Sequence, residues 1–138
     1  MNIMIIPTTE AVVTTGTKYI VRYNPRPFIF SSFKRYARNK AQTDWDTGNA
    51  ITTKNIIITF CDNYTLTDSE NKGRQGLKNI GTFDGYYITN GKAIKIKCTK
   101  TARDQQTKYE DLNGNEIKVN DGNTWVNICP TDAQVEME

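Results

Sequence analysis

Apolar positions along the chain come in short bursts separated by polar segments rich in Asn, Asp, Gly and Pro. That is the rhythm of strands and turns; a helix would need a longer stretch with apolar residues recurring about every 3.6 positions. The run Lys18-Tyr19-Ile20-Val21-Arg22-Tyr23 reads as a first strand, ended by Asn24-Pro25. Pro25 and Pro27 exclude a helix start, and Phe28-Ile29-Phe30 reads as a short extended segment. Phe33 to Arg38 fits a strand or one helical turn, with strand the favoured reading. Asn55-Ile56-Ile57-Ile58-Thr59-Phe60-Cys61 is a continuous apolar run suited to a central strand covered on both faces, and the core is expected to centre on it. Asp62 to Gly76 is polar throughout and reads as a long surface loop or a pair of turns.

The last third carries the clearest signals. Tyr86-Tyr87-Ile88-Thr89 and Ala93-Ile94-Lys95-Ile96-Lys97-Cys98 flank Asn90-Gly91, while Lys108 to Leu112 and Glu116 to Val119 flank Asn113-Gly114. Asn-Gly between strand-like runs predicts a hairpin, because both residues tolerate the positive φ of a type I′ turn. Asp121-Gly122 then turns into a last strand, Thr124 to Cys129, stopped by Pro130. Strict alternation puts Ile94, Ile96 and Cys98 on one face and Lys95, Lys97 and Thr99 on the other, so one face of this sheet is expected to be wet.

Composition supports the pattern: Thr and Asn together make up roughly a quarter of the chain, while Ala and Leu are scarce. The fold class is therefore all-β, mainly antiparallel and hairpin-rich, a sheet or an open barrel with at most one short helix. A length of 138 residues sets one domain as the expectation. Residues 1–17 are expected to be poorly structured or peripheral, 18–130 to form the β domain, and 131–138 to be an acidic tail that frays. The opening Met1 to Pro7 lacks the basic flank of an export signal, and no stretch approaches the ~20 apolar residues of a membrane span. As written, the chain is expected to be soluble and unanchored.

The chain has no histidine. Ser-His-Asp and Cys-His catalysis and His-containing zinc sites are thereby excluded. Gly73-x-x-Gly76 lacks the Lys-Ser/Thr ending of a phosphate loop. Cys61, Cys98 and Cys129 have no Cys-x-x-Cys spacing and lie in or beside apolar stretches, so they read as buried core residues; one disulfide plus a free thiol is the alternative. No cofactor is expected. Asp44-Trp45-Asp46-Thr47-Gly48-Asn49 begins like a calcium loop but has Asn49 in place of the turn glycine and Asn55 in place of the bidentate Glu. Asp46-Thr47-Gly48 is also the triplet of retroviral-type aspartic proteases, whose paired carboxylates need no histidine. The plainer reading is a turn.

A net charge of +3 is too mild to imply nucleic acid. Lys92, Lys95, Lys97 and Lys100, with Arg103, form a candidate basic stripe, readable as a solvated strand face or as a contact for an anionic partner. Tyr36 and Arg38 are a second candidate contact, or a packed pair. Trp125, inside an apolar strand, reads as core.

Tyr36-Ala37-Arg38, Asp46-Thr47-Gly48, Asn55 to Ile58, Gly81-Thr82-Phe83-Asp84-Gly85-Tyr86-Tyr87-Ile88-Thr89-Asn90-Gly91-Lys92, Asp111 to Ile117 and Gly122 to Pro130 follow one another in an order and spacing that resemble the C-terminal domain of the YerB-like lipoproteins of Gram-positive bacteria, a domain of unknown function. The likeness runs from about Phe33 to Pro130. It departs at Cys98, where the family has a Trp, so no stacking role is carried over. The resemblance implies a module of a lipid-anchored, extracytoplasmic and membrane-associated protein with a separate N-terminal domain; it implies no reaction and no ligand. The expectation is a non-catalytic cell-envelope module that presents a sheet face, or the Asp62 to Gly76 loop, to a protein or an anionic cell-wall component. The alternatives are a cytoplasmic adaptor binding protein or nucleic acid through the lysine stripe, and a small dimeric aspartic protease using Asp46.

Overall fold

A computed structural model of the chain describes residues 2–5, 18–20, 32–37 and 40–137. Val21 to Tyr23, Phe28-Ile29-Phe30 and Arg38 lie outside the described residues. Within them there is no helix, and the strands in chain order are β1 (Asn2–Ile5), β2 (Lys18–Ile20), β3 (Phe33–Lys34), β4 (Tyr36–Ala37), β5 (Lys40–Ala41), β6 (Thr52–Thr53) and β7 (Asn55–Phe60). There follow β8 (Asp62–Thr65), β9 (Gln75–Lys78), β10 (Gly81–Thr89), β11 (Lys92–Lys100), β12 (Lys108–Asp111), β13 (Thr124–Cys129) and β14 (Gln134–Met137). The fold is all-β.

The main sheet has five strands in the order β12-β11-β10-β7-β13. β7 is buried on both faces, as its unbroken apolar run predicts. Ile56 and Ile58 pack on one side with Phe33, Ile88 and Cys129, and with the partly buried Phe60, Tyr86, Trp125, Ala133 and Val135. On the other side Ile57 packs with Tyr87, Ile96 and Cys98, flanked by Tyr109 and Ile117. The first side is called the outer face below, the second the inner face. All three cysteines are buried, as their apolar settings predict.

β10 and β11 form the long hairpin that Asn90-Gly91 announces, in register from Gly81↔Lys100 to Thr89↔Lys92. Asn90 and Gly91 have φ of 44° and 70°, both positive as a type I′ turn requires. Asn113-Gly114 behaves differently. Asp111 N–H donates to Asn115 O at 2.8 Å and Gly114 N–H to Asp111 O at 3.1 Å, so the loop is 112–114 with only Gly114 left-handed, at φ 86°. The cause is the Asp111 carboxylate, which accepts from the backbone N–H groups of Asn113 and Asn115 and from Asn115 Nδ2 at 2.8–2.9 Å and so favours a local side-chain-closed turn. The returning arm is one bridge, Glu110↔Glu116, continued by Ile117 N–H to Tyr109 O.

From there residues 117–123 run across the inner face to β13, which lies parallel to β7 at the sheet edge. The crossing is held by fully buried Asn55, whose Nδ2 donates to Asn120 O at 2.8 Å and whose Oδ1 accepts from Tyr87 OH at 3.1 Å and Thr89 Oγ1 at 2.8 Å. Asn120 N–H closes the ring by donating to Tyr87 OH at 3.0 Å.

Three expectations need correction. Asp62 to Gly76 is not a plain loop, since β8 and β9 pair antiparallel from Asp62↔Lys78 to Thr65↔Gln75; both strands are polar and almost wholly exposed, so no alternation marks them. The tail after Pro130 does not simply fray: β14 pairs parallel with β1, and Ala133 and Val135 pack on the outer core. Trp125 is only half-buried. It packs at the edge of the core, and the Arg35 guanidinium stacks 4.0 Å from its ring centroid.

Candidate functional site

Directly paired residues of adjacent strands share a face. The outer face of β10, β11 and β12 therefore carries Thr82, Asp84 and Tyr86; Lys95, Lys97 and Thr99; and Lys108 and Glu110. Where β7 lies, this face is covered by Phe33; toward β12 it is polar and open, with Asp84, Lys95, Lys97 and Lys108 exposed. Acid and base alternate across the strands. Lys97 Nζ lies 2.5 Å from Asp84 Oδ1, with the two side chains 46% and 76% exposed, and Lys108 Nζ lies 2.8 Å from Glu110 Oε1. The hydrogen bond and charge of Glu110 raise the Lys108 pKa above its ordinary value. Exposed pairs of this kind contribute little stability; their consequence is the charge pattern they display. Thr82 and Thr99 share a hydroxyl hydrogen bond of 3.0 Å, and Lys95 stands in register with half-buried Tyr86.

Next to this field an open groove of about 420 Å³ runs between the main sheet and the C-terminal segment. Its lining is mixed: Phe60, Phe83, Tyr86, Ala133 and Val135 together with the polar Thr82, Asp84 and Thr131. Phe60 and Tyr86 meet edge to face, ring centroids 6.0 Å apart. Thr131 Oγ1 donates to Asp62 Oδ1 at 3.2 Å nearby.

The basic stripe does not survive as one surface. Lys92 and Lys100 have the parity of Ile94, Ile96 and Cys98, so they lie on the side opposite Lys95 and Lys97. Lys100 Nζ is engaged by the carbonyl of Gln105, and Arg103 is exposed in the connection after β11. Tyr36 is in β4, paired with Ala41 of β5. The structure thus joins Lys95 to Lys97 and leaves Lys92, Lys100, Arg103 and Tyr36 elsewhere. Sequence reading missed Asp84, Glu110 and Tyr86 as their neighbours; the signal lay in strand alternation, which puts Thr82, Asp84 and Tyr86 on one side once the Asn90-Gly91 turn fixes the register.

Asp46 sits in an exposed turn, and no buried strand delivers it. Asp44 Oδ1 accepts from Thr47 N–H and Oγ1, both at 2.9 Å, which holds the Asp44 carboxyl below its ordinary value. Gly48 closes the turn at φ 69°. At its tip Trp45 is 97% exposed. On the inner face Cys98 is fully buried; burial raises its thiol pKa, partly offset by the hydrogen bond from Thr59 Oγ1 at 3.2 Å, with the Asp84 charge adding to the rise. A thiol so placed is a poor nucleophile.

An all-β domain with a polar, charge-patterned sheet face beside a groove of mixed lining is the class that fold and site define. The chain belongs to the family described as the C-terminal domain of proteins of unknown function DUF3048, whose model matches residues 12–126. It is similar to the crystal structure of the YerB protein from Bacillus subtilis, at 22% identity and a TM-score of 0.45, covering 66% of this chain. The chain spans 29% of that protein's chain. No curated protein matches it.

Proposed function

We propose that this domain is a non-catalytic binding module that meets a macromolecular partner through the outer face of β10, β11 and β12. The observation that carries the reading is the open charge array Asp84–Lys97 and Glu110–Lys108, with Lys95 and Tyr86 beside it, next to a groove lined in part by Phe60, Phe83 and Tyr86. Ordered, alternating charge in register selects a complementary surface and disfavours a uniformly charged polymer. A protein surface is therefore the preferred partner, ahead of an anionic cell-wall component or nucleic acid. We propose further that the module works as part of a lipid-anchored cell-envelope protein, outside the cytoplasm, the setting that the resemblance in sequence implies.

Site-specific photo-crosslinking in the producing cells tests this. A photoreactive residue at Lys95 or Thr99 is expected to give discrete adducts, while the same residue at exposed Lys92 or Thr124, on the opposite side, gives none. Adducts from the opposite side alone, or turnover of any substrate that depends on Asp46 or Asp84, would refute the reading.

A further inference from the structure

Asn90-Gly91 and Asn113-Gly114 stand on turns with both asparagines exposed, and the same covalent chemistry threatens each pair. The backbone nitrogen of the glycine attacks Cγ of the asparagine and forms a new N–C bond. The Cγ–Nδ2 bond breaks, and ammonia leaves with the proton of the glycine N–H. Water then opens the cyclic imide at either carbonyl, leaving an aspartate or an isoaspartate whose backbone runs through the former side chain. Glycine leaves the attacking nitrogen sterically open. The attack also needs an asparagine amide free to swing, a glycine N–H released from other acceptors, and surroundings that favour loss of its proton.

At Asn113 the structure opposes the last two. Gly114 N–H donates to Asp111 O at 3.1 Å, and the Asp111 carboxylate accepts from Asn113 N–H at 2.8 Å and Asn115 N–H at 2.9 Å. Reaching the imide would disturb these bonds, and the Asp111 charge opposes an anion developing at the Gly114 nitrogen. Asn90 has no such guard. The hydrogen bond of its turn uses the N–H of Lys92, the residue paired with Thr89, and leaves that of Gly91 unused. Among the described residues no hydrogen bond engages Gly91 N–H or the Asn90 side chain. Exposed Lys92 follows, and its positive charge favours loss of the glycine proton. We propose that Asn90 is the site at which the folded chain is covalently modified, by imide formation with Gly91, and that Asp111 protects Asn113. The product bears on the fold, because an isoaspartate adds a backbone carbon to a turn whose two residues both hold positive φ. Thr89, next in the chain, donates to Asn55 Oδ1 at 2.8 Å, so a distorted tip disturbs the buried amide that holds the 117–123 crossing.

Peptide mapping by mass spectrometry tests this on native and guanidinium-unfolded chain aged at neutral pH, with isoaspartate counted by enzymatic methyl transfer. In the native chain Asn90 is expected to convert about tenfold faster than Asn113, the factor that one hydrogen bond is worth. In the unfolded chain the two should convert at similar rates. Asp111→Ala should raise the native rate at Asn113 severalfold and leave that at Asn90 unchanged. Asn90→Gly keeps the positive φ and removes the reacting amide. Ageing should lower the thermal midpoint of the wild-type chain and leave that of Asn90→Gly in place. Equal native rates at the two asparagines, or a preference for Asn90 that persists in guanidinium, would overturn the inference. So would an Asn113 as slow in Asp111→Ala as in wild type, or a native chain that converts neither asparagine while the unfolded chain converts both.

Discussion

Asn55 is fully buried, yet its amide meets partners on both sides, donating to Asn120 O and accepting from Tyr87 OH and Thr89 Oγ1. Removing one member of a satisfied buried network leaves the rest unpaired. Asn55→Ala is expected to destabilise the domain by about 2–3 kcal/mol in urea unfolding. Gly85 makes a second sharp demand: a Cβ there would collide with the Ile58 carbonyl and come within 2.8 Å of Cys98 Sγ. Gly85→Ala should cost about 1–3 kcal/mol by overpacking, and Cys98→Ala should relieve only part of it, since the backbone contact remains. The thiols offer a third test. With burial raising the pKa of Cys61 and Cys98, a thiol reagent should leave all three cysteines unmodified in the native protein and label them once denaturant unfolds it. Cysteine burial was legible in the sequence because each cysteine lies in or beside an apolar stretch. The exposure of Trp45 was not, since nothing local distinguishes a tryptophan on a turn tip from one folded back onto the core.

At the level of strands and turns, two Asn-Gly pairs with the same local pattern took different courses. Asn90-Gly91 forms a two-residue turn with both φ positive, whereas the Asp111 carboxylate draws Asn113-Gly114 into a longer loop. The competition lies two residues before the pair, at Asp111, outside the dipeptide that signals the hairpin. Hydrogen bonds from Asn115, first its side chain and then its backbone, depress the Asp111 pKa below its ordinary value. A depressed folded-state value means the carboxylate stabilises the fold above the unfolded-state pKa and loses that contribution as pH falls through the folded one. Asp111→Ala should therefore lower the thermal midpoint at neutral pH, and the gap to wild type should close below about pH 4. β7 was readable as the central strand because a run apolar on both faces has few other uses. The position of β13 was not, because a parallel pairing is made across the intervening chain and leaves no turn signature. The division of the lysines was legible in principle, since the parity that separates Lys95 from Ile96 also separates Lys95 from Lys92 and Lys100 only when the full strand is counted through.

For the whole molecule, the contact face exists because of the strand order β12-β11-β10-β7-β13. That order places the apolar strand at the centre of both cores and leaves β12 at the open end, where charged side chains can alternate at little cost. Composition foretold the all-β class, but strand order depends on the crossing of 117–123 over the inner face, which is fixed by long-range contacts to Asn55 and Tyr87. Backbone amide hydrogen exchange followed by NMR tests this order most directly. Amides of Ile56 to Phe60 and of Tyr86 to Ile88 should exchange only with global unfolding, and those of Lys108 to Asp111 should exchange orders of magnitude faster. Equal or slower exchange in Lys108 to Asp111 than in Ile56 to Phe60 would contradict the strand order and the contact face built on it.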